Sequence, residues 1–343
     1  MSNDMPALTP TVTIAMVGPT RVGKTSLVAA MYGELEKELV SIGCTFSMEG
    51  GPTTRSINER LRELKRLGSE DSCSLVQEGE GIDPGVEKKE YVFHLDVGDG
   101  GSPEAIIKFV DLPGGWYMAN ENSEEADKIL RDANVSFLAV DAVALMEQPS
   151  AESDGLGKYH ERVNAPDYIK EAYKRALPHL DESHIIILTL IRAETYVRKN
   201  RTDELMEKAK DAYREMTSYL KKNGVQIKVY ACYVETVGSV VFHAFDESDG
   251  SVHFHYRRVP GKKYSPSRCA IPLRIAARTA LSKALDHAFE EFVKNDTLWA
   301  RVSLLCGGGH ALTQAKQKAT RIYEAFQKVA ENVNDEDYHQ IHT

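Results

Sequence analysis

Eight consecutive residues near the start of the chain have the types and spacing of a phosphate-binding loop. The segment Gly18–Thr25 reads Gly-Pro-Thr-Arg-Val-Gly-Lys-Thr and matches the pattern G-x-x-x-x-G-K-[S/T] at every fixed position. Its glycines allow a tight turn whose N–H groups converge on phosphate oxygens, and a helix beginning near Lys24 adds the positive end of its dipole. We expect Lys24 to neutralise the β- and γ-phosphates of a nucleoside triphosphate and the Thr25 hydroxyl to ligate Mg²⁺. The predicted nucleotide-binding run is Gly18, Pro19, Thr20, Arg21, Val22, Gly23, Lys24, Thr25 and Ser26.

The residues on either side of this loop provide the elements that position it. Residues 12–17 (VTIAMV) are an apolar, β-branched run typical of a strand buried on both faces of a parallel sheet. Leu27, Met31 and Leu35 follow at four-residue spacing, which predicts a helix that packs back onto that sheet. This order of strand, loop and helix is the context in which the loop pattern is specific for phosphate.

A second acidic residue separates the classes of protein that use such a loop. Asp111 closes the apolar run 105–110 (AIIKFV) and begins the sequence Asp-Leu-Pro-Gly114. An acid at this place can hold magnesium, usually through water, and the backbone N–H of Gly114 can meet a γ-phosphate. An ATPase would favour a second acid next to Asp111, whereas this chain has Leu112, which cannot activate water. We therefore expect Lys24 and Gly114 to be catalytic, and Thr25 and Asp111 to bind the metal.

Apolar runs alternate with helical patterns over the first two-thirds of the chain. A turn signal at 98–101 predicts that the runs 91–97 and 105–110 form an antiparallel hairpin. Helices are predicted near 166–180 and over 202–222. Further strands are predicted at 135–142, 185–191 and 225–234. The alternation predicts an α/β fold with a three-layer arrangement, in which the sheet is mostly parallel with one antiparallel strand.

Residues 41–89 interrupt this alternation with a long polar stretch. Ser56 and Glu59 have capping-box spacing, which predicts that one helix starts near Ser56 and stops at Gly68. We interpret the stretch as an insertion within a nucleotide-binding domain that covers residues 11–240.

The pattern changes again after that domain. Residues 239–245 and 251–258 predict a hairpin, and 272–293 predicts a helix. A last helix, at 311–333, carries an apolar stripe that could fold back on the domain or mediate self-association or partner binding. We expect residues 241–343 to form a hairpin and helical C-terminal extension, packed on the domain or on a partner.

Taken together, these motifs resemble the Ras-like, translation-factor-related (TRAFAC) class of P-loop GTPases. The resemblance rests on GPTRVGKT, the two-stranded hairpin and DLPG, and it covers about residues 12–240. It implies that GTP and Mg²⁺ bind between the phosphate loop, two switch segments and a guanine-reading loop. The insertion and the elements after residue 238 resemble more specifically the double-GTPase-type proteins of bacterial conflict and defence systems.

The guanine-reading loop of this class is expected directly after the run 185–191. The class has Asn or Thr, then Lys, any residue and Asp, where this chain has Ile191, Arg192, Ala193 and Glu194. The resemblance implies that Arg192 lies over the purine ring and that Glu194 accepts hydrogen bonds from guanine N1 and N2. Ile191 cannot replace the polar first residue, and the alternative is that these charged residues only cap a strand. The Ser-Ala signature of the class is expected near Cys232-Tyr233, which departs from it.

Two further departures from the class predict slow hydrolysis. The position after Gly114, where the class often has a water-positioning Gln, is Gly115, followed by Trp116. No Thr lies just before the strand at 91 to offer its hydroxyl to magnesium. We expect a molecular switch with slow Mg²⁺-dependent GTP hydrolysis that a protein partner completes. A P-loop ATPase or kinase, and a scaffold that binds nucleotide without turnover, are the alternatives.

Composition argues against several other functions. Lys and Arg total 42 against 51 Asp and Glu, so the net charge of −9 gives no general electrostatic basis for binding nucleic acid. The five cysteines include no C-x-x-C pair, which indicates neither a disulfide framework nor a zinc site. The first residues lack the pattern of a signal peptide, and no run approaches the roughly 18 apolar residues that span a bilayer. We expect a cytoplasmic protein that binds neither membrane nor nucleic acid.

Overall fold

Two β-sheets organise the chain in the computed structural model. The structure describes residues 11–41, 44–69, 75–77, 88–97, 105–118, 123–150, 159–181, 184–223, 227–247, 252–277 and 338–342. Within these ranges the strands are β1 (Thr11–Val17), β2 (Cys44–Met48), β3 (Leu75–Gln77), β4 (Lys89–Val97), β5 (Ala105–Asp111), β6 (Val135–Asp141), β7 (Ile185–Ile191), β8 (Lys228–Tyr233), β9 (Val240–Asp246), β10 (His253–Arg258) and β11 (His339–His342).

The larger sheet has the strand order β11-β8-β7-β6-β1-β5-β4-β2. Strands β5, β1, β6, β7 and β8 are parallel, and β6 and β7 are buried along their whole length. Strand β1 lies between β5 and β6, so the strands from β2 to β5 that belong to this sheet lie on one side of β1 and the later strands lie on the other. The carboxyl end of a strand at such a switch point is where open α/β sheets bind their ligands.

Helices cover both faces of this sheet, which confirms the predicted α/β class. Their bounds are α1 (Lys24–Ser41), α2 (Gly50–Ser69), α3 (Gly115–Met118), α4 (Ser123–Asp132), α5 (Ala142–Met146), α6 (Tyr159–Asn164), α7 (Pro166–Ala176), α8 (Glu194–Arg198), α9 (Thr202–Ala212), α10 (Arg214–Lys222) and α11 (Ile271–Ala276). Helix α1 packs against α2, whereas α4, α7 and α10 pack in a row. No helix within the described ranges is long and apolar enough to cross a membrane.

Aromatic rings fix the strands beneath α1. Phe93 of β4 stacks on Phe46 of β2 at 5.0 Å between ring centroids and on Tyr32 of α1 at 5.6 Å. Phe93 also meets Phe109 of β5 edge-on at 5.6 Å. Such pairs contribute about 0.5–1.5 kcal/mol each beyond their burial. They connect the middle of α1 to β4 and to Phe109 near the end of β5.

The predicted hairpin of β4 and β5 is confirmed, but the sheet contains more antiparallel pairing than expected. Strand β2, from the insertion, pairs antiparallel with β4, and β11 pairs antiparallel with β8. The turn at 98–101 lies outside the described residues. The helix predicted over 202–222 is two helices, because Tyr213 leaves helical geometry (φ −105°, ψ 12°) while its side chain is buried.

The predicted start of the inserted helix at Ser56 is wrong. Helix α2 begins at Gly50, because Pro52 is tolerated in the first turn of a helix, where its missing N–H costs nothing. The helix ends at Ser69, one residue after the predicted stop at Gly68. A Cβ at Gly68 would lie 2.7 Å from the Cα of Tyr264, so this glycine permits a close approach of the chain.

The second sheet joins the insertion to the segment after residue 240. Strands β9 and β10 form the predicted hairpin, and β3 pairs antiparallel with β10 to give the order β3-β10-β9. Arg258 of β10 also donates to the carbonyl of Leu67 in α2 at 2.6 Å. The described parts of the insertion and of the extension are therefore in direct contact.

The remaining predictions for the extension lie mostly outside the described residues. Helix α11 begins near the predicted start of the 272–293 helix, and Arg274 forms an ion pair with Glu38 of α1. Residues 278–337, which include the helix predicted at 311–333, are not described. A domain boundary near residue 240, and docking or self-association through 311–333, stay proposals.

Candidate nucleotide-binding site

The loop between β1 and α1 has a backbone conformation that few residues adopt. Gly18 and Gly23 have φ angles of 139° and 108°, and Arg21 is left-handed with φ 65°. A Cβ on Gly18 would lie 2.7 Å from the carbonyl oxygen of Ala139 in β6, so a glycine is required there. The Leu27 N–H bonds to the Gly23 carbonyl at 2.9 Å and starts the helical ladder. The tight turn predicted from the glycines is therefore present.

Lys24 reaches back across this loop. Its Nζ donates to the carbonyls of Gly18 and Pro19, each at 3.0 Å, and lies 4.0 Å from Oδ1 of Asp111. The residue is 7% exposed. Burial lowers the pKa of the ammonium group, and the nearby Asp111 carboxylate opposes that effect. The structure thus places a buried cationic group inside the loop, as a phosphate site requires.

Thr25 and Asp111 form a hydrogen-bonded pair next to Lys24. The Thr25 hydroxyl donates to Oδ2 of Asp111 at 2.7 Å, although 86 positions separate the two residues. Burial raises the pKa of the Asp111 carboxyl, while Lys24 and the Thr25 hydrogen bond lower it. Hydroxyl and carboxylate oxygens are ligands that Mg²⁺ prefers. The pair fits the magnesium site that the sequence predicted.

Gly114 lies directly on the phosphate loop. A Cβ at this position would be 2.1 Å from the backbone nitrogen of Thr20 and 2.4 Å from the carbonyl carbon of Pro19. No side chain fits there without moving one of the two segments. The chain then turns into α3, with the Trp116 N–H bonded to the Pro113 carbonyl at 3.0 Å. The structure therefore brings Gly114 to the loop, as expected for a group that contacts the γ-phosphate.

Arg192 also contacts the phosphate loop. It has φ 66°, and its guanidinium donates to the Arg21 carbonyl at 2.9 Å and to Oδ2 of Asp141 at 2.7 Å. The same guanidinium lies 5.8 Å and 5.7 Å from the ring centroids of Phe254 and Tyr256 in the second sheet. Arg192 thus connects the phosphate loop, the end of β6 and the C-terminal hairpin.

Asp141 binds two separate parts of the chain through its two carboxylate oxygens. Its Oδ1 accepts the N–H groups of Val143 and Ala144, so it is the N-cap of α5, and its Oδ2 binds Arg192. Asp141 is not among the predicted site residues. Its signal in the sequence was an acid at the end of a mostly apolar run.

Glu194 has backbone partners in the loop that follows β8. The residue is 4% exposed, and its Oε1 accepts the N–H groups of Val237 at 3.0 Å and Gly238 at 3.3 Å. Burial raises the pKa of this carboxyl, and the hydrogen bonds lower it. Guanine reading by Arg192 and Glu194 therefore stays a prediction.

The loop that binds Glu194 is not the segment at Cys232-Tyr233 where the Ser-Ala signature of the class was expected. Cys232 and Tyr233 belong to β8, and the loop that reaches Glu194 comes four to six residues later. Its signal in the sequence was the run Val-Glu-Thr-Val-Gly at 234–238, directly after the strand.

The family model for Double-GTPase 2 matches residues 12–231, which is more than half of the chain. The chain belongs to the Double-GTPase 2 family. This Double-GTPase 2 protein is accordingly of the double-GTPase type, as the resemblance implied. The matched range contains the phosphate loop, Asp111, Gly114, Arg192 and Glu194.

Solved structures match the chain at low identity and low TM-score. The Ski7 GTPase-like domain of S. cerevisiae bound to GTP is 17% identical over 65% of this chain and 43% of that chain, with a TM-score of 0.32. Sup35 complexed with GDP is 11% identical over 69% of this chain and 40% of that chain, with a TM-score of 0.30. This protein thus spans less than half of each, and the family assignment rests on the family model. The comparison with curated proteins found no match.

Proposed function

We propose that this Double-GTPase 2 protein is a molecular switch that binds GTP with Mg²⁺ and hydrolyses it slowly. The observation that carries the proposal is the 2.7 Å hydrogen bond between Thr25 and Asp111. It joins the end of the phosphate loop to the end of β5, three residues before the glycine that lies on the loop. The groups that would bind the cation and the triphosphate thus lie at one corner of the sheet.

Each residue at this corner has a distinct role. Lys24 would exchange its two loop carbonyls for β- and γ-phosphate oxygens, which accept stronger, charge-assisted hydrogen bonds. Thr25 and Asp111 would hold Mg²⁺, which supplies charge neutralisation when bound. The Gly114 N–H would contact the γ-phosphate. A phosphate that enters beside Thr20 must displace Gly114 or orient it, which gives the segment 111–114 the properties of a switch.

The slow rate follows from what is missing beside Gly114. A Cβ on Gly115 would meet nothing within 4 Å, so this position has room but no side chain that could orient water. Trp116 packs partly on the core and has no acceptor for a water proton. We therefore propose that a protein partner completes hydrolysis, in the cytoplasm and in bacterial defence, as the double-GTPase resemblance suggests.

The isolated protein should turn over GTP on the order of 10⁻⁴ to 10⁻² per second, the range of unassisted members of this class. Phosphate release under multiple-turnover conditions measures this rate, with Lys24→Ala as the blank. A rate above about one per second would contradict the proposal.

A nucleoside triphosphatase without guanine preference is the second candidate. It is favoured because Arg192 already binds Asp141 and Glu194 already binds the Val237 N–H, and these bonds compete with contacts to a base. Competition binding of GTP, GDP and ATP to the purified protein separates the two. We expect guanine nucleotides to bind at least about tenfold more tightly, or 1.4 kcal/mol. Equal affinities for GTP and ATP would favour the second candidate.

A further inference from the structure

A buried tyrosine hydroxyl without a partner lies beside the Thr25–Asp111 pair. Tyr91 of β4 is 1% exposed, and its hydroxyl makes no hydrogen bond to any residue that the structure describes. A buried polar group left in this way costs about 1–3 kcal/mol. Most buried hydroxyls are satisfied, and the position of this one beside two predicted magnesium ligands is what distinguishes it from other unpaired tyrosines such as Tyr213.

The register of the sheet places this side chain next to Asp111. Tyr91 pairs with Phe109, and Lys89 pairs with Asp111, across antiparallel β4 and β5. Residues two apart along a strand share a face, so Tyr91 and Asp111 lie on the same face. Diagonal neighbours of this kind are within reach of an aromatic side chain.

Helix α1 covers that face and brings Thr25 to the same corner. Phe93, two residues beyond Tyr91 on β4, stacks on Tyr32 of α1. Thr25, at the start of α1, bonds to Asp111. The Tyr91 hydroxyl is therefore enclosed by the elements that carry both predicted magnesium ligands.

The inserted helix α2 closes the remaining side. Thr53 accepts a hydrogen bond from the Val92 N–H at 3.5 Å, so the first turn of α2 lies on β4. Burial, and then the Asp111 charge, raise the pKa of Tyr91. The hydroxyls of Ser56 and Thr25 lie nearby, and the Thr25 hydroxyl donates its proton to Asp111. Tyr91 thus remains protonated at neutral pH, as both a donor and an acceptor.

We propose that Tyr91 is a positioning residue for magnesium, whose hydroxyl holds a metal-bound water beside Thr25 and Asp111. Mg²⁺ in nucleotide sites keeps several waters, and these need protein partners. No threonine lies just before β4, and the hydroxyl that β4 itself carries at this corner is that of Tyr91. The inference rests on the proposed function and names a residue that the predicted site did not include.

Tyr91→Phe tests the proposal because it removes the hydroxyl and keeps the ring. Dissociation of a fluorescent GTP analogue is followed over a Mg²⁺ titration and in EDTA. We expect the variant to require about five- to tenfold more Mg²⁺ for half-maximal slowing of dissociation, as for one lost hydrogen bond. Dissociation in EDTA should be unchanged. Tyr213→Phe is the matched control, since Tyr213 is also buried with a hydroxyl that lacks a partner, between α9 and α10.

A second background checks that the effect acts through the metal site. In Asp111→Asn protein, Tyr91→Phe should add little, because coupled residues are not additive. An unchanged Mg²⁺ midpoint in Tyr91→Phe, with wild-type protein responding to Mg²⁺, overturns this inference alone. A wild-type protein that binds no GTP, or binds it without regard to Mg²⁺, overturns the proposed function and the inference with it. Thermal melts confirm that each variant is folded.

Discussion

Lys24 is the residue whose loss should affect binding most directly. Its ammonium group already lies between two loop carbonyls and Asp111, so alanine leaves the triphosphate without its nearest cation. We expect Lys24→Ala to weaken GTP binding by two orders of magnitude or more, in line with about 1.5–3 kcal/mol or more for charged hydrogen bonds. Calorimetric titration measures the change, and Lys37→Ala, on the exposed face of the same helix, is the control. Near-normal affinity in folded Lys24→Ala protein would disprove the site.

Glu194 requires a substitution that separates support of the fold from base reading. Glutamine keeps an oxygen for the Val237 and Gly238 N–H groups but has one acceptor where guanine presents two donors. We expect Glu194→Gln to melt close to wild type and to lose about tenfold of its preference for GTP over ATP. Competition binding measures the preference. If it is unchanged in the folded variant, Glu194 only anchors the loop after β8.

Single residues differ in how far their role could be predicted. Lys24, Thr25 and Gly114 belong to short motifs whose spacing alone carries the chemistry, and the structure brings them together. The partners of Arg192 were not predictable, because Asp141 is 51 positions away and Phe254 is on a separate sheet. Such contacts depend on strand order, which the local pattern does not contain.

Among the elements, β6 and β7 are joined at their starts by a buried histidine. Ring nitrogens of His184 lie 2.9 Å from the Ser136 hydroxyl and 2.9 Å from the Ala133 carbonyl. Burial lowers the pKa of His184 from 6.5 to about 4. The folded protein therefore favours neutral imidazole, and the unfolded chain takes up the proton first as pH falls.

This arrangement predicts acid sensitivity in a defined window. Stability from neutral His184 is complete above pH 6.5 and is lost as pH falls toward 4. The loss at pH 5 should be roughly 2 kcal/mol, from 1.36 kcal/mol per pKa unit. Urea unfolding at pH 7 and pH 5 measures it, and His184→Gln should lack this part of the difference. An equal pH dependence in both proteins would assign the acid loss to other groups.

The elements that sequence patterns missed are short. Strands β2, β3 and β11 have three to five residues, which is too few for alternation to show. All three pair with longer strands, and this pairing, not a pattern in their own residues, determines that they are extended. The long buried strands were predicted from their continuous apolar runs, and the amphipathic helices from apolar residues at three- to four-residue spacing.

At the scale of the whole molecule, β11 covers the outer edge of β8 within the described part of the chain. Tyr338 packs edge-on against Tyr230 of β8 with centroids 5.4 Å apart, and β11 supplies β8 with an antiparallel partner. We expect deletion of residues 338–343 to cost about 1–3 kcal/mol and lower the melting temperature by several degrees, because Tyr230 becomes exposed. Light scattering should also show association through the free edge.

Gln340→Ala is the control for this deletion, since it keeps the backbone pairing with Tyr230. Its melting temperature should stay near that of the wild type. A deletion that melts and scatters like the wild type would mean that β11 contributes little to stability.

The pairing of β3 with β10 has a consequence for synthesis on the ribosome. Gln77 pairs with His255, 178 positions later, so the second sheet cannot close until both have been translated. At about 5–20 residues per second, that interval lasts about nine to thirty-six seconds. The phosphate loop emerges long before Phe254 and Tyr256, the aromatic neighbours of Arg192. The nascent chain therefore carries an unfinished nucleotide site through most of its translation, and the site matures only after residue 258 has been added.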